Sequence, residues 1–135
     1  MKLVVPLPAG WAGIVRPEEL AAALPGCRSA TAVEGGGIRI VVDVAVASVR
    51  GLWAGTITET GADAWRIVGS GEPGRADLAV RADGDAGTLT VEGTVEGPLA
   101  GIGSSLLDAA VRRLVLSLIA SSHAADRRQL GSDVT

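Results

Sequence analysis

Ile38-Arg39-Ile40-Val41-Val42-Asp43-Val44-Ala45-Val46 is the stretch that decides the fold class. Strand side chains alternate, so Ile38, Ile40, Val42, Val44 and Val46 share one face while Arg39 and Asp43 take the other. Outward from it the pattern repeats. Residues 52–59, 64–69, 76–82 and 88–96 read as further strands, with others expected at 27–33 and 2–6. Turn-forming residues separate them: Gly35-Gly36-Gly37, Arg50-Gly51, Thr60-Gly61-Ala62-Asp63, Gly71-Glu72-Pro73-Gly74 and Asp83-Gly84-Asp85. Links this short predict antiparallel neighbours, because a parallel crossover needs about a dozen residues. The centre is a meander.

Two helices frame it. Pro17-Glu18-Glu19-Leu20-Ala21-Ala22-Ala23-Leu24 opens with proline at the first helical position and acids in the first turn, and Pro25-Gly26 stops it. A second helix is expected from about residue 98 to 122, roughly 35 Å at 1.5 Å per residue, long enough to cross a small sheet. Leu106, Ala110, Leu114 and Leu118 form one row on it, and Leu107, Val111 and Val115 the adjacent row. Leu116 and Ile119 fall outside a single stripe. Either they belong to a wide core contact or dimer seam, or they form a greasy lip that meets a ligand, a membrane or a partner. From His123 onward the chain turns polar and reads as a tail, dividing it into a domain of residues 1–122 and a tail of 123–135.

Composition narrows the function. The 135 residues suit one domain, 47% hydrophobic and 20% charged, which is enough apolar material for a core. A net charge of -3, with eleven arginines and a single lysine scattered among acids, lacks the basic footprint of a nucleic-acid binder. One cysteine, Cys27, and one histidine, His123, leave no disulfide framework, no metal ligand set and no Ser–His arrangement within the fold. A lone thiol without a secretory leader points to the cytoplasm, with peripheral contact at the inner face of the cell membrane left open.

Chemistry-bearing motifs are few. Gly69-Ser70-Gly71-Glu72-Pro73-Gly74 matches G-x-G-x-x-G by letter, yet an alternating strand pattern follows it where a nucleotide site needs a helix. No carboxylate pair stands out, and no catalytic residue is assigned. What remains is apolar architecture. Trp53, Ile57, Trp65 and Ile67 alternate in adjacent strands and fall on one sheet face, and Gly51, Gly55, Gly69 and Gly71 interrupt those strands. Such a face under a long helix is either a packed core or the wall of a cavity.

Pro17-Glu18-Glu19-Leu20-Ala21-Ala22-Ala23-Leu24-Pro25-Gly26-Cys27 is similar to the entry helix and "PGC" corner of the carbon monoxide dehydrogenase G-subunit family. Trp53-Ala54-Gly55-Thr56-Ile57 resembles that family's aromatic-x-Gly-x-aliphatic strand, and the segment from Gly97-Pro98-Leu99-Ala100 through Leu106-Leu107-Asp108-Ala109-Ala110 to Leu114 resembles its closing helix. The chain departs at Arg16, where the family commonly has an N-capping aspartate, and it lacks the proline-rich extension or anchor of longer relatives. The resemblance implies an α+β helix-grip fold (START-like, Bet v 1-like, of the SRPBCC superfamily), a curved antiparallel sheet of six to seven strands around a long C-terminal helix. It also implies service to an aerobic molybdenum carbon monoxide dehydrogenase at the membrane, by carrying a lipid quinone such as menaquinone.

On that expectation the protein is a non-enzymatic carrier with no covalent cofactor. Ile40, Val42, Val44, Ile57, Leu107, Val111 and Leu114 would line the ligand's tail, Trp53 and Trp65 would wall its flat head group, and Ile67 and, toward the mouth, Leu118 complete the ligand-binding set. Leu116 and Ile119 would form the portal or the membrane or partner contact. An assembly or recruitment factor for the same dehydrogenase, without ligand transport, is the alternative. A polyketide-cyclase-like enzyme is the third reading.

Overall fold

The computed structural model describes residues 1–8, 11, 13 and 17–134, and for Ala23 and residues 121–134 the backbone alone. Among the described residues seven strands make one sheet: β1 (Lys2–Pro6), β2 (Cys27–Val33), β3 (Gly37–Val46), β4 (Val49–Gly61), β5 (Ala64–Gly71), β6 (Gly74–Asp83) and β7 (Thr88–Glu96). Helix α1 (Pro17–Ala23) lies between β1 and β2, and a 3-10 turn at Pro98–Ile102 leads into α2 (Ser104–Val134). The strand order is β1-β7-β6-β5-β4-β3-β2 and every pairing is antiparallel. Strands β2 to β7 are thus the expected meander, and β1 returns to pair with the last of them. With α2 laid over the apolar face of a curved sheet, this is the helix-grip arrangement.

The register explains the core. Ile40, Val42, Ile57, Leu78, Val80, Leu89 and Val91 are inward-facing and buried, Val91 completely. From the helical side Val111, Val115, Leu118 and Ile119 close down on them, and Leu20 and Leu24 of the α1 region seal one flank. The opposite sheet face is mixed, with Val4, Leu52 and Val68 exposed among charged side chains. There Arg66 forks onto Asp77 across β5 and β6, Nε to Oδ1 at 2.9 Å and Nη2 to Oδ2 at 2.6 Å. That hydrogen bond, and then the guanidinium charge, hold the Asp77 carboxyl below its ordinary range.

The "PGC" corner has a steric cause. Gly26 is left-handed at φ 75, its carbonyl accepts the Asp43 N–H at 2.8 Å, and any Cβ there would run into the Asp43 carbonyl oxygen. Only glycine can end α1 while lying this close to β3.

Three boundaries differ from those the sequence predicts. The reversal before β4 falls on Ala47-Ser48, with Ala47 at φ 53, while Arg50 and Gly51 lie within the strand. Pairing of Val49 with Val46 carries the apolar ladder two residues further than glycine composition implies. The closing helix begins at Ser104 after the 3-10 turn, because Gly101 and Gly103, the latter at φ 101, disfavour regular helix. It then runs to Val134, through the stretch expected to be a tail. Ala124, Ala125, Arg127, Arg128 and Gln129 are good helix formers and no proline intervenes. Arg16 and the His123 side chain lie outside the described residues.

Candidate functional site

Between the concave sheet face and α2 lies a cavity of about 150 Å³. Ile40, Val42, Val44 and Val46 of β3, Trp53 and Ile57 of β4 and Ile67 of β5 line it from the sheet. Ala76, Leu78 and Val80 of β6 and Leu89, Val91 and Val95 of β7 complete that wall. From above come Leu107, Ala110, Val111, Leu114, Val115, Leu118 and Ile119 of α2, with Leu99, Leu24 and Trp11 at the margins. All are apolar side chains, and the indoles of Trp11 and Trp53 hold the only side-chain nitrogens among them. A void of this size costs about 4 kcal/mol of stability at roughly 24 cal/mol per Å³. Burial alone would favour filling it.

The aromatic-x-Gly-x-aliphatic stretch builds one wall. Trp53, Gly55 and Ile57 share the inner face, and Gly55 pairs with Gly69 on β5. A Cβ on Gly55 would fall 2.6 Å from Trp53 Cζ3, and one on Gly69 would fall 2.6 Å from its Cη2. The indole therefore lies down along the sheet with its benzo edge over two glycines, where any other residue would push it upward. A ring held this way offers a flat surface for stacking.

Burial along the lining shows where the cavity opens. Val44 and Val46 at the end of β3, Val95 near the end of β7, Leu99 and Leu107 are only half-buried. Antiparallel register brings these strand ends together with the start of α2, so they form the mouth. At the other end, Ile57, Leu118 and Ile119 are 3%, 8% and 5% exposed, which makes it the more closed end, with Ile67 and Trp11 half-buried beside them.

Of the residues expected to hold a ligand, Ile40, Val42, Val44, Trp53, Ile57, Ile67, Leu107, Val111, Leu114 and Leu118 surround this cavity. Trp65 does not. It shares the inner face but lies beyond the more closed end, edge-to-face with Trp11 at 5.4 Å between centroids and 68° between planes. The expected portal is also corrected. Ile119 continues the row Val111–Val115 at four-residue spacing and is buried in the lining, while Leu116 is 44% exposed on the outer side of α2 beside Arg112 and Arg113. Neither touches the mouth, and Leu118 lines the more closed end. Trp11, an isolated aromatic in a segment without periodicity, carries no signal in the sequence that marks it as a lining residue. The β6 and β7 residues do carry one, a plain alternation that extends the inner face across the sheet.

Titratable chemistry is sparse. Burial pushes the Cys27 thiol up, partly offset by a backbone hydrogen bond from Ser29, and its Sγ–H donates to the Ser29 carbonyl at 3.4 Å; a raised thiol disfavours the reactive thiolate. Among the described residues no three His, Cys, Asp or Glu side chains gather as a metal site, and no helix is long and apolar enough to cross a membrane.

Comparison with known proteins places this architecture. Solved structures share the fold: a conserved protein from Geobacillus kaustophilus has TM-score 0.69 at 16% identity, over 94% of this chain and 93% of that one. A protein from Thermus thermophilus gives 0.62 at 17%, over 92% and 97%. The Zhui aromatase/cyclase from a Streptomyces species gives 0.57 at 15%, over 96% and 94%. No curated protein matches the chain. The family model for the carbon monoxide dehydrogenase G-subunit, CoxG, matches residues 6–122, which include the α1 corner, the tryptophan strand and most of α2. The chain belongs to the CoxG family.

Proposed function

We propose that this protein is a non-enzymatic carrier for an uncharged apolar molecule, an isoprenoid quinone such as menaquinone, serving an aerobic molybdenum carbon monoxide dehydrogenase at the membrane. The observation that carries the reading is the apolar cavity beneath α2. At about 150 Å³ it matches the size that takes one benzene in an engineered protein cavity, so it suits a ring and not a whole isoprenoid chain. The ring would enter past Val44, Val46, Val95 and Leu107 and stack on Trp53, with the chain trailing through the mouth. Apolar burial at about 25 cal/mol per Å² offsets part of the cost of leaving a bilayer.

The test is organic extraction and mass spectrometry of the purified protein, followed by quinone quenching of tryptophan emission. A protein that carries no lipid and shows no quenching would retire the carrier.

A specific observation supports the second reading, an assembly or recruitment factor. Leu116 is exposed beside Arg112 and Arg113 on the outer side of α2, a surface the cavity does not use. Co-purification with a dehydrogenase subunit, lost on changing Leu116 while cavity binding persists, would favour it. For a cyclase-like enzyme the lining offers no acid or base among the described residues.

A further inference from the structure

We infer that the cavity selects its ligand by oxidation state, holding a quinone in preference to the quinol made from it. This selectivity rests on the carrier reading and gives the carrier a direction.

Reduction adds two electrons and two protons to a quinone and turns each ring carbonyl into a hydroxyl, so each oxygen gains a donor. A donor needs an acceptor, and the walls have none to offer. Every lining side chain is hydrocarbon except those of Trp11 and Trp53, and an indole nitrogen only donates. The sheet's carbonyls are engaged in antiparallel ladders from β3 to β7, and those of α2 within the helix. Water does not repair the loss, because a buried water needs about two to four polar partners of its own. A hydroxyl carried into this space gives up its hydrogen bond to water without replacement. A quinone oxygen has no proton to place, and folded proteins themselves tolerate under-satisfied carbonyls more readily than orphaned donors.

Geometry puts at least one oxygen inside. A ring stacked on the Trp53 indole lies between the half-buried mouth residues Val44, Val95 and Leu107 and the more closed end at Ile57 and Leu118. With the isoprenoid chain trailing through the mouth, the oxygen next to the chain is nearer solvent and the one across the ring is enclosed. One enclosed hydroxyl is enough to discriminate. The oxidised ligand would be taken up. The dehydrogenase would then pass it the two electrons and two protons released as carbon monoxide and water become carbon dioxide, and the quinol would be held less firmly and given back.

The experiment is an anaerobic NMR titration of the full chain, followed on the methyl signals of the lining. The probes are duroquinone, whose four methyl groups block addition to the Cys27 thiol, durohydroquinone kept reduced by dithionite, and toluene in both buffers as the hydrocarbon reference. Normalised to toluene, duroquinone should bind at least about tenfold more tightly than durohydroquinone, the effect of one unpaired donor. Ala110→Leu, which takes up part of the cavity, should weaken duroquinone by at least about tenfold. Equal affinities, or a tighter quinol, overturn the selectivity and leave the carrier intact. A preference of the same size in Ala110→Leu, with duroquinone bound as tightly as before, places the selectivity outside the cavity and overturns it. Binding of toluene with neither duroquinone form overturns the quinone as ligand and the selectivity together. Failure of all three to bind overturns the carrier as well.

Discussion

Replacing Ala110 by leucine tests whether the cavity is empty space and whether a ligand uses it. Ala110 faces the cavity from α2, where alanine and leucine are both good helix formers. Leucine adds three carbons, each contributing about 0.8 kcal/mol when buried, so the gross gain is about 2 kcal/mol. Ordering the longer side chain takes back up to about 1 kcal/mol. The net stabilisation is about 1 kcal/mol, or about 4 °C in melting temperature for a chain of this length. The same substitution occupies part of the 150 Å³, so ring-sized ligands should bind at least about tenfold more weakly. Thermal unfolding by circular dichroism reads the first effect, and tryptophan quenching by a short-chain quinone reads the second. A destabilised A110L would mean that the space is already filled by the chain. A stabilised variant that still binds would put the ligand elsewhere.

Gly55→Ala places its Cβ 2.6 Å from Trp53 Cζ3 and 2.9 Å from the Val68 carbonyl oxygen, so overpacking should cost about 1–3 kcal/mol in urea unfolding and shift tryptophan emission as the indole lifts. Leu116→Asp should change stability by less than about 0.5 kcal/mol, whereas Ile119→Asp should cost about 3 kcal/mol or more; equal effects would refute the assignment of the buried stripe. Because Arg66 depresses the Asp77 carboxyl, its NMR titration midpoint should fall below the usual value of about 3.9. The folded state therefore gains from this pair above that pH and loses the gain as pH falls through the lower midpoint, and Asp77→Asn should remove that share of the acid sensitivity.

Period-2 alternation makes most of the sheet legible. Once Ile40 and Val42 point inward, a one-residue slip would expose them all, so the inner face of β3 follows from the letters alone. The family resemblance supplies what alternation cannot, namely that a helix covers that face. The mouth is misplaced in the sequence because helical spacing reports which residues share a stripe and not which end of the sheet the stripe runs toward. Ile119 looks supernumerary only when the row from Val111 is ended at Val115. Trp65 and Ile67 share a face, yet their distance from the cavity's end depends on where α2 and Trp11 close it. Trp11 has no periodic neighbours to announce it.

The pairing of β1 with β7 sets a timetable for biogenesis. Lys2 lies opposite Glu92, so the first strand leaves the ribosome on the order of ten seconds before its partner at roughly 5–20 residues per second. Hairpins from β2 to β6 can close meanwhile, each on its nearest neighbour. Leu3 and Val5, 4% and 1% exposed in the finished molecule, spend that interval without cover. Nascent chains stalled before residue 88 should accordingly hold a chaperone at their N-terminus, and chains released after residue 96 should shed it.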